Sequence, residues 1–119
     1  MIKSYKELIV WQKSISLVEY IYCILQQYPK DELYGIISQM KRASISIPSN
    51  ISEGFGRHSK NDFAKFLLIA RGSLFELQTQ IELSLRLNFI NKNQYDNFNS
   101  LSTDVEKLLN GLLSKIKFE

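Results

Sequence analysis

The chain has one cysteine, one histidine, one tryptophan, two prolines and five glycines in 119 residues. A lone cysteine, Cys23, excludes an internal disulfide and removes any need for an oxidising compartment. It lies in an apolar helical run, where a buried, inert thiol is expected. One histidine and one cysteine cannot build a His/Cys metal cluster. So few prolines and glycines argue against disorder. No apolar run approaches the roughly 20 residues of a membrane helix. The apolar run of the N-terminal MIKSYKELIVWQKS is too short for a signal-peptide core. Together these absences read as a cytoplasmic protein with no membrane association.

Catalytic patterns are equally sparse. His58 and Ser59 are adjacent, and neighbours do not face each other as a nucleophile and its base must. Gly54-Phe55-Gly56 lacks the third glycine and preceding strand of a dinucleotide fingerprint. No phosphate loop, metalloprotease helix or nucleophile elbow occurs. The expectation is a protein that is not an enzyme and carries no cofactor or metal.

What is present is helical periodicity. The spacing predicts a single all-α domain over 1–119, with helices at about 5–27, 31–56, 60–89 and 92–117 and no strand. Connections of a few residues between long helices imply an antiparallel, up-down-up-down four-helix bundle. In the first helix Leu8, Trp11, Ile15, Val18, Tyr22 and Leu25 form the expected core stripe. Leu33, Ile36, Ile37, Met40, Ala43, Ile47, Ile51 and Phe55 do so in the second. Phe63, Phe66, Leu67, Ala70, Leu74, Leu77, Ile81 and Leu85 line the third. Tyr95, Phe98, Leu101, Val105, Leu109, Leu112 and Ile116 line the fourth. Asp31 and Glu32 suit the start of the second helix, and Gly54 and Gly56 its C-terminal turn. Ser59 with Asp62 and Asn91 with Gln94 have capping-box spacing.

Pro48 falls inside the second helix without shifting the apolar register. A mid-helix proline removes one hydrogen bond and clashes with the carbonyl four residues back, at a cost of about 3 kcal/mol. A kink at Pro48 is expected. Opposite the apolar face lies a polar stripe of Gln39, Arg42, Ser46, Ser49, Glu53 and Arg57. It reads equally as an ordinary solvated face and as a surface that approaches something polar.

Several apolar residues exceed what one bundle core needs. Val10, Leu17, Ile21 and Ile24 form a second stripe on the first helix. Ile45, Leu68 and Phe75 are also off-phase, and Gly72 lies between the last two. An oligomer interface is therefore expected at Val10, Leu17, Ile24, Ile45, Leu68, Gly72 and Phe75.

The formal net charge is +3, and it is concentrated. Residues 41–71 hold six cations against two acids, a net +4, leaving −1 for the rest. Lys41, Arg42, Arg57, His58, Lys60, Lys65 and Arg71 are thus the candidate nucleic-acid contacts. A solvated helix surface is the plainer reading of the same charges.

LIVWQKS and the long segment YPKDELYGIISQMKRASISIPSNISEGFGRHSKNDFAKFLLIARGSLFELQTQ carry a more specific signal. They resemble the four-helix bundle protein family encoded in intervening sequences of bacterial 23S ribosomal RNA genes. That family is in turn similar to the accessory protein of diversity-generating retroelements. The resemblance covers essentially the whole chain, with SIPSNISEG its most specific part. Met40-Lys41 is a conservative departure, standing where an aliphatic residue and arginine are common. The resemblance implies a left-handed bundle assembled as a ring-like homopentamer in a bacterial cytoplasm. Arg42, Asn50, Glu53, Arg57 and the Ser59 cap match the family's basic and polar motif. For function it implies an oligomeric RNA-binding accessory protein, since its retroelement relatives are similar to RNA-binding factors that hold a reverse transcriptase and its template RNA. The off-phase apolar stripes and the serine-rich stripe with Pro48 support an alternative, an oligomeric protein-interaction scaffold that binds another protein and has no direct nucleic-acid role.

Overall fold

The computed structural model describes residues 1–116. They form four helices: α1 (Ile9–Leu25), α2 (Ser38–Gly56), α3 (Lys60–Arg86) and α4 (Lys92–Lys115), with no strand among the described residues. A short 3-10 turn at Tyr5–Glu7 precedes α1. Each helix packs on two others: α1 on α2 and α4, and α3 on α2 and α4. That closed cycle is the arrangement of a four-helix bundle. At 1.5 Å per residue α3 is about 40 Å long, and the longest dimension of the molecule is 46 Å.

The helix boundaries follow from local chemistry. The Ser4 hydroxyl accepts from the Lys6 N–H, and the Glu7 carboxylate accepts from the Ser4 N–H at 2.8 Å. Asn91 and Gln94 form the reciprocal box expected of them. The Ser59 hydroxyl accepts from the Asp62 N–H at 3.3 Å. The α2–α3 turn rests on His58 rather than on the glycines, for His58 is the residue with a left-handed φ of 58°. Gly54 lies within α2, where an added Cβ would fall 2.6 Å from the Phe66 Cβ. The glycine therefore lets α2 approach α3 closely.

Helix two begins later than its acidic start suggests. Residues Lys30–Glu32 form a 3-10 turn and Leu33–Ile37 a wide π turn, broken at Gly35 with φ −109° and ψ −117°. Regular α-helix starts at Ser38 and runs on through Pro48, which is buried. Helix three ends at Arg86, with Asn88 in the left-handed region at φ 63°. Helix four ends at Lys115, with Ile116 already extended, short of the expected end at 117, and residue 117 itself lies outside the described residues.

The core stripes of α2, α3 and α4 hold closely to their expected phases. Met40, Ile47, Ile51, Leu67, Leu74, Leu77, Ile81, Phe98, Val105 and Leu109 are fully buried. Helix α1 is rotated from its expected phase. Val10, Leu17, Ile21 and Ile24 are buried, whereas Trp11, Ile15 and Val18 are only partly so and Tyr22 is exposed. Ser14 is the reason. It occupies the core stripe with no exposure, its hydroxyl donating to the Trp11 carbonyl at 2.7 Å. This serine interrupts the true apolar stripe and makes its neighbour look continuous. Val10, Leu17 and Ile24 therefore fill the protomer's own core and are withdrawn as interface residues. Cys23, one position from the core stripe, is exposed rather than buried. Leu33, expected in the core, is exposed on the turn before α2.

Candidate nucleic-acid interface

The rise of a helix separates the basic residues that sequence places together. Arg42 lies on α2 and Arg57 just past its end, fifteen positions on, which is about 22 Å along the helix axis. The cations therefore fall into two groups. Lys41 and Arg42 stand near the start of α2, and Arg57, His58 and Lys60 gather at the α2–α3 turn. Lys65 projects from the first third of α3. Arg71, farther along, reaches α4 and donates to the Asn110 side-chain oxygen at 2.9 Å.

At the α2–α3 turn, His58 and Lys60 line a shallow hollow with Gly54, Phe55, Ser59 and Phe63. Arg57 points elsewhere. Its guanidinium pairs with Glu53 at 3.2 Å and lies 5.2 Å from the centre of the Phe66 ring. Both partners of that ion pair are more than half exposed, so it contributes little stability, about 0–1 kcal/mol. It does fix where the Arg57 charge sits.

The start of α2 is built differently. Tyr22 from α1, Leu33 and Tyr34 from the irregular turn, and Ile37, Lys41, Arg42 and Ile45 from α2 line a groove of about 590 Å³. A second hollow shares Tyr22, Leu33, Ile37 and Lys41 and continues the groove to Tyr28 and Lys30. The two linings hold Lys30, Lys41 and Arg42 and, among the described residues, no carboxylate. Asp31 and Glu32 are on the neighbouring turn, outside the lining. The Lys41 ammonium sits 5.2 Å from the centre of the Tyr22 ring, a cation–π geometry that positions its charge without neutralising it. Tyr34 is 94% exposed beside the Gly35 break.

The polar stripe of α2 turns partly inward. The Ser46 and Ser73 hydroxyls lie 2.9 Å apart across α2 and α3. The Asn50 amide donates to the Ser46 carbonyl and hydroxyl at 2.8 and 2.9 Å. Ser46 thus joins α2 to α3 with Asn50 bonded behind it on α2, and the Ser46 hydroxyl is not free for a ligand. Burial raises the Tyr20 and Tyr28 phenols above their usual pKa, so both stay protonated at neutral pH. Among the described residues no group of His, Cys, Asp or Glu could hold a metal. Nor is any helix long and apolar enough to cross a membrane.

Sequence reasoning placed Lys41 and Arg42 in the site but omitted Lys30, Tyr22 and Tyr34. Tyr22 was assigned to the core through the mistaken phase of α1. The signal for Tyr34 is its place near a helix end, off the core stripe of α2, which sets it apart from the packed aromatics. Of the expected interface residues, Ile45, Leu68 and Phe75 are exposed. A Cβ on Gly72 would meet nothing within 4 Å, so no close contact in the protomer accounts for that glycine.

Comparison with known proteins agrees with this architecture. Residues 6–111 match the family described as 23S rRNA-intervening sequence protein. A crystal structure from Bacteroides thetaiotaomicron VPI-5482, of a protein with unknown function from the S23 ribosomal protein family, is similar, with a TM-score of 0.83 and 28% identity. The alignment covers 90% of this chain and 96% of that one. Among curated proteins none matches the chain.

Proposed function

The chain belongs to the 23S rRNA-intervening sequence protein family, and from that premise we propose that it is a non-enzymatic, oligomeric RNA-binding accessory protein. The observation that carries this reading is the state of the cations. Among the described residues, Lys41, Arg42, Lys60, Lys65 and Arg71 form no ion pair, whereas Arg57 is paired with Glu53, Arg86 with Glu82 and Lys92 with Asp96. Open cations at the start of α2 and beyond the α2–α3 turn suit phosphate contacts, which need charge free to meet the backbone of a nucleic acid, and the half-exposed Arg57–Glu53 pair is weak enough to yield to one.

The proposal includes the assembly. One domain folds as an up-down-up-down bundle bent at Pro48. Partner positions support the antiparallel order, because they fall along α4 as they rise along α3. Arg71 bonds Asn110, Gln78 bonds Glu106 and Ser102, and Glu82 bonds Tyr95. Protomers associate through the exposed Leu68, Gly72 and Phe75 of α3 into a homopentamer in the bacterial cytoplasm. Ile45 lines the α2 groove rather than continuing that stripe. Repeating weak basic groups around a ring gains avidity without new contacts.

A second reading keeps the oligomer, makes it a protein-interaction scaffold with no direct nucleic-acid role, and assigns the groove to a partner protein. The apolar Leu33, Ile37 and Ile45 in its lining favour that alternative. RNA titrations across a salt series decide between them. Arg42→Ala combined with Arg57→Ala should weaken RNA binding and flatten its salt dependence. Unchanged binding by the double variant would sink the assignment.

A further inference from the structure

We propose that the groove between the end of α1 and the start of α2 is a single-strand subsite, taking an unpaired RNA base on Tyr34 and the adjoining phosphates on Lys41 and Arg42. This rests on the RNA-binding reading and adds to it the form of nucleic acid and the place. Tyr34 offers an almost fully exposed ring on an irregular turn. A lone exposed aromatic is unremarkable, but this one shares a groove with two cations and the Tyr22 ring. Flat aromatic faces beside a positive track are the elements of sequence-tolerant single-strand binding. A duplex keeps its bases stacked on one another and presents phosphates and 2′-hydroxyls instead.

Charge complementarity selects the occupant. The lining carries Lys30, Lys41 and Arg42 without a carboxylate among the described residues, so the groove is fitted to a polyanion. Lys41 is held beside the Tyr22 ring, which sets one phosphate contact next to an aromatic face. Ser38 adds a hydroxyl to the same lining. An acidic protein segment would engage the same cations but would gain little from the open face of Tyr34.

The test is fluorescence anisotropy on the full chain with a labelled oligouridylate of about 12 nucleotides, within the range of single-strand site sizes, and a duplex RNA of equal length. Titrations at about 50 mM salt keep phosphate contacts strong. Tyr34→Ala should weaken single-strand binding about tenfold, the order of one lost base stack, and leave duplex binding unchanged. Tyr34→Phe, which keeps the ring, should bind like the parent. Lys107→Ala, a cation on α4 outside the groove, should also bind like the parent. If the parent binds RNA and Tyr34→Ala binds single strands equally well, the subsite is wrong while the RNA-binding reading stands. An Arg42→Ala loss with no Tyr34→Ala loss likewise overturns it, in favour of a purely ionic contact such as an acidic peptide makes. No binding of either RNA by the parent removes the reading beneath it.

Discussion

The start of α2 and the seam between α3 and α4 are both polar, yet they treat their polar groups in opposite ways. Along the seam the groups face one another and are paired. The Gln78 amide donates to the Ser102 hydroxyl at 2.8 Å and to the Glu106 carboxylate at 2.9 Å. The Tyr95 hydroxyl donates to Glu82 at 2.7 Å, and Arg71 reaches Asn110. At the start of α2 the cations have no carboxylate partner and lie beside exposed rings. A network that satisfies itself stabilises one packing. Charges left open add nothing to folding and remain free to meet a ligand. The difference teaches that the chain's function is sought where its polar groups are unpaired rather than where they are most numerous.

The contrast can be broken most severely at the seam. Gln78→Ala strands the buried Ser102 hydroxyl and removes the Glu106 contact, so stability should fall by about 1–3 kcal/mol with RNA affinity unchanged. Denaturant titration checks the first part, and a loss below 0.5 kcal/mol would show that the network is not stabilising. The groove should behave in reverse. Tyr34→Ala should leave stability within about 0.5 kcal/mol of the parent, as for an exposed side chain without structural partners, while lowering single-strand affinity. A marked drop in thermal stability would instead make Tyr34 a structural residue.

The smallest effect concerns pH. The Glu82 carboxylate is held below its usual range first by the Tyr95 hydroxyl and then by Arg86. A lowered folded-state pKa contributes stability above the unfolded value, and that contribution is lost as pH falls through the folded one. Tyr95→Phe should therefore be slightly less stable than the parent at neutral pH. The gap should close as pH drops from the usual glutamate range through the lowered value. Melting curves at several pH values check this, and a gap that stays constant into acid would assign the loss to packing alone.

Most of the fold was legible because three helices obey one rule. The apolar stripes of α2, α3 and α4 repeat at helical spacing with few interruptions, so Met40, Ile47, Leu74, Ile81, Phe98 and Leu109 announce their burial. The phase of α1 was not legible, because a serine in a core position costs little once its hydroxyl bonds the preceding turn. The late start of α2 was hidden by Asp31 and Glu32, whose charges suit a helix end and equally suit the short 3-10 turn they form. The Ser4 and Glu7 box has its signature in SYKE, yet it caps a 3-10 turn rather than α1 itself. The groove was the least accessible part. Its rings come from α1 and from a turn, and no periodicity within one helix brings Tyr22 to Lys41. Contiguity also misled, since a basic window in the sequence becomes two groups about 22 Å apart once it is wound into a helix.

The most direct test of the central claim is size-exclusion chromatography with light scattering and dual-wavelength absorbance, on protein purified from its host at low salt. The account predicts a pentameric mass with bound nucleic acid that leaves the protein at high salt. A monomer, or an oligomer free of nucleic acid at every salt concentration, would contradict it.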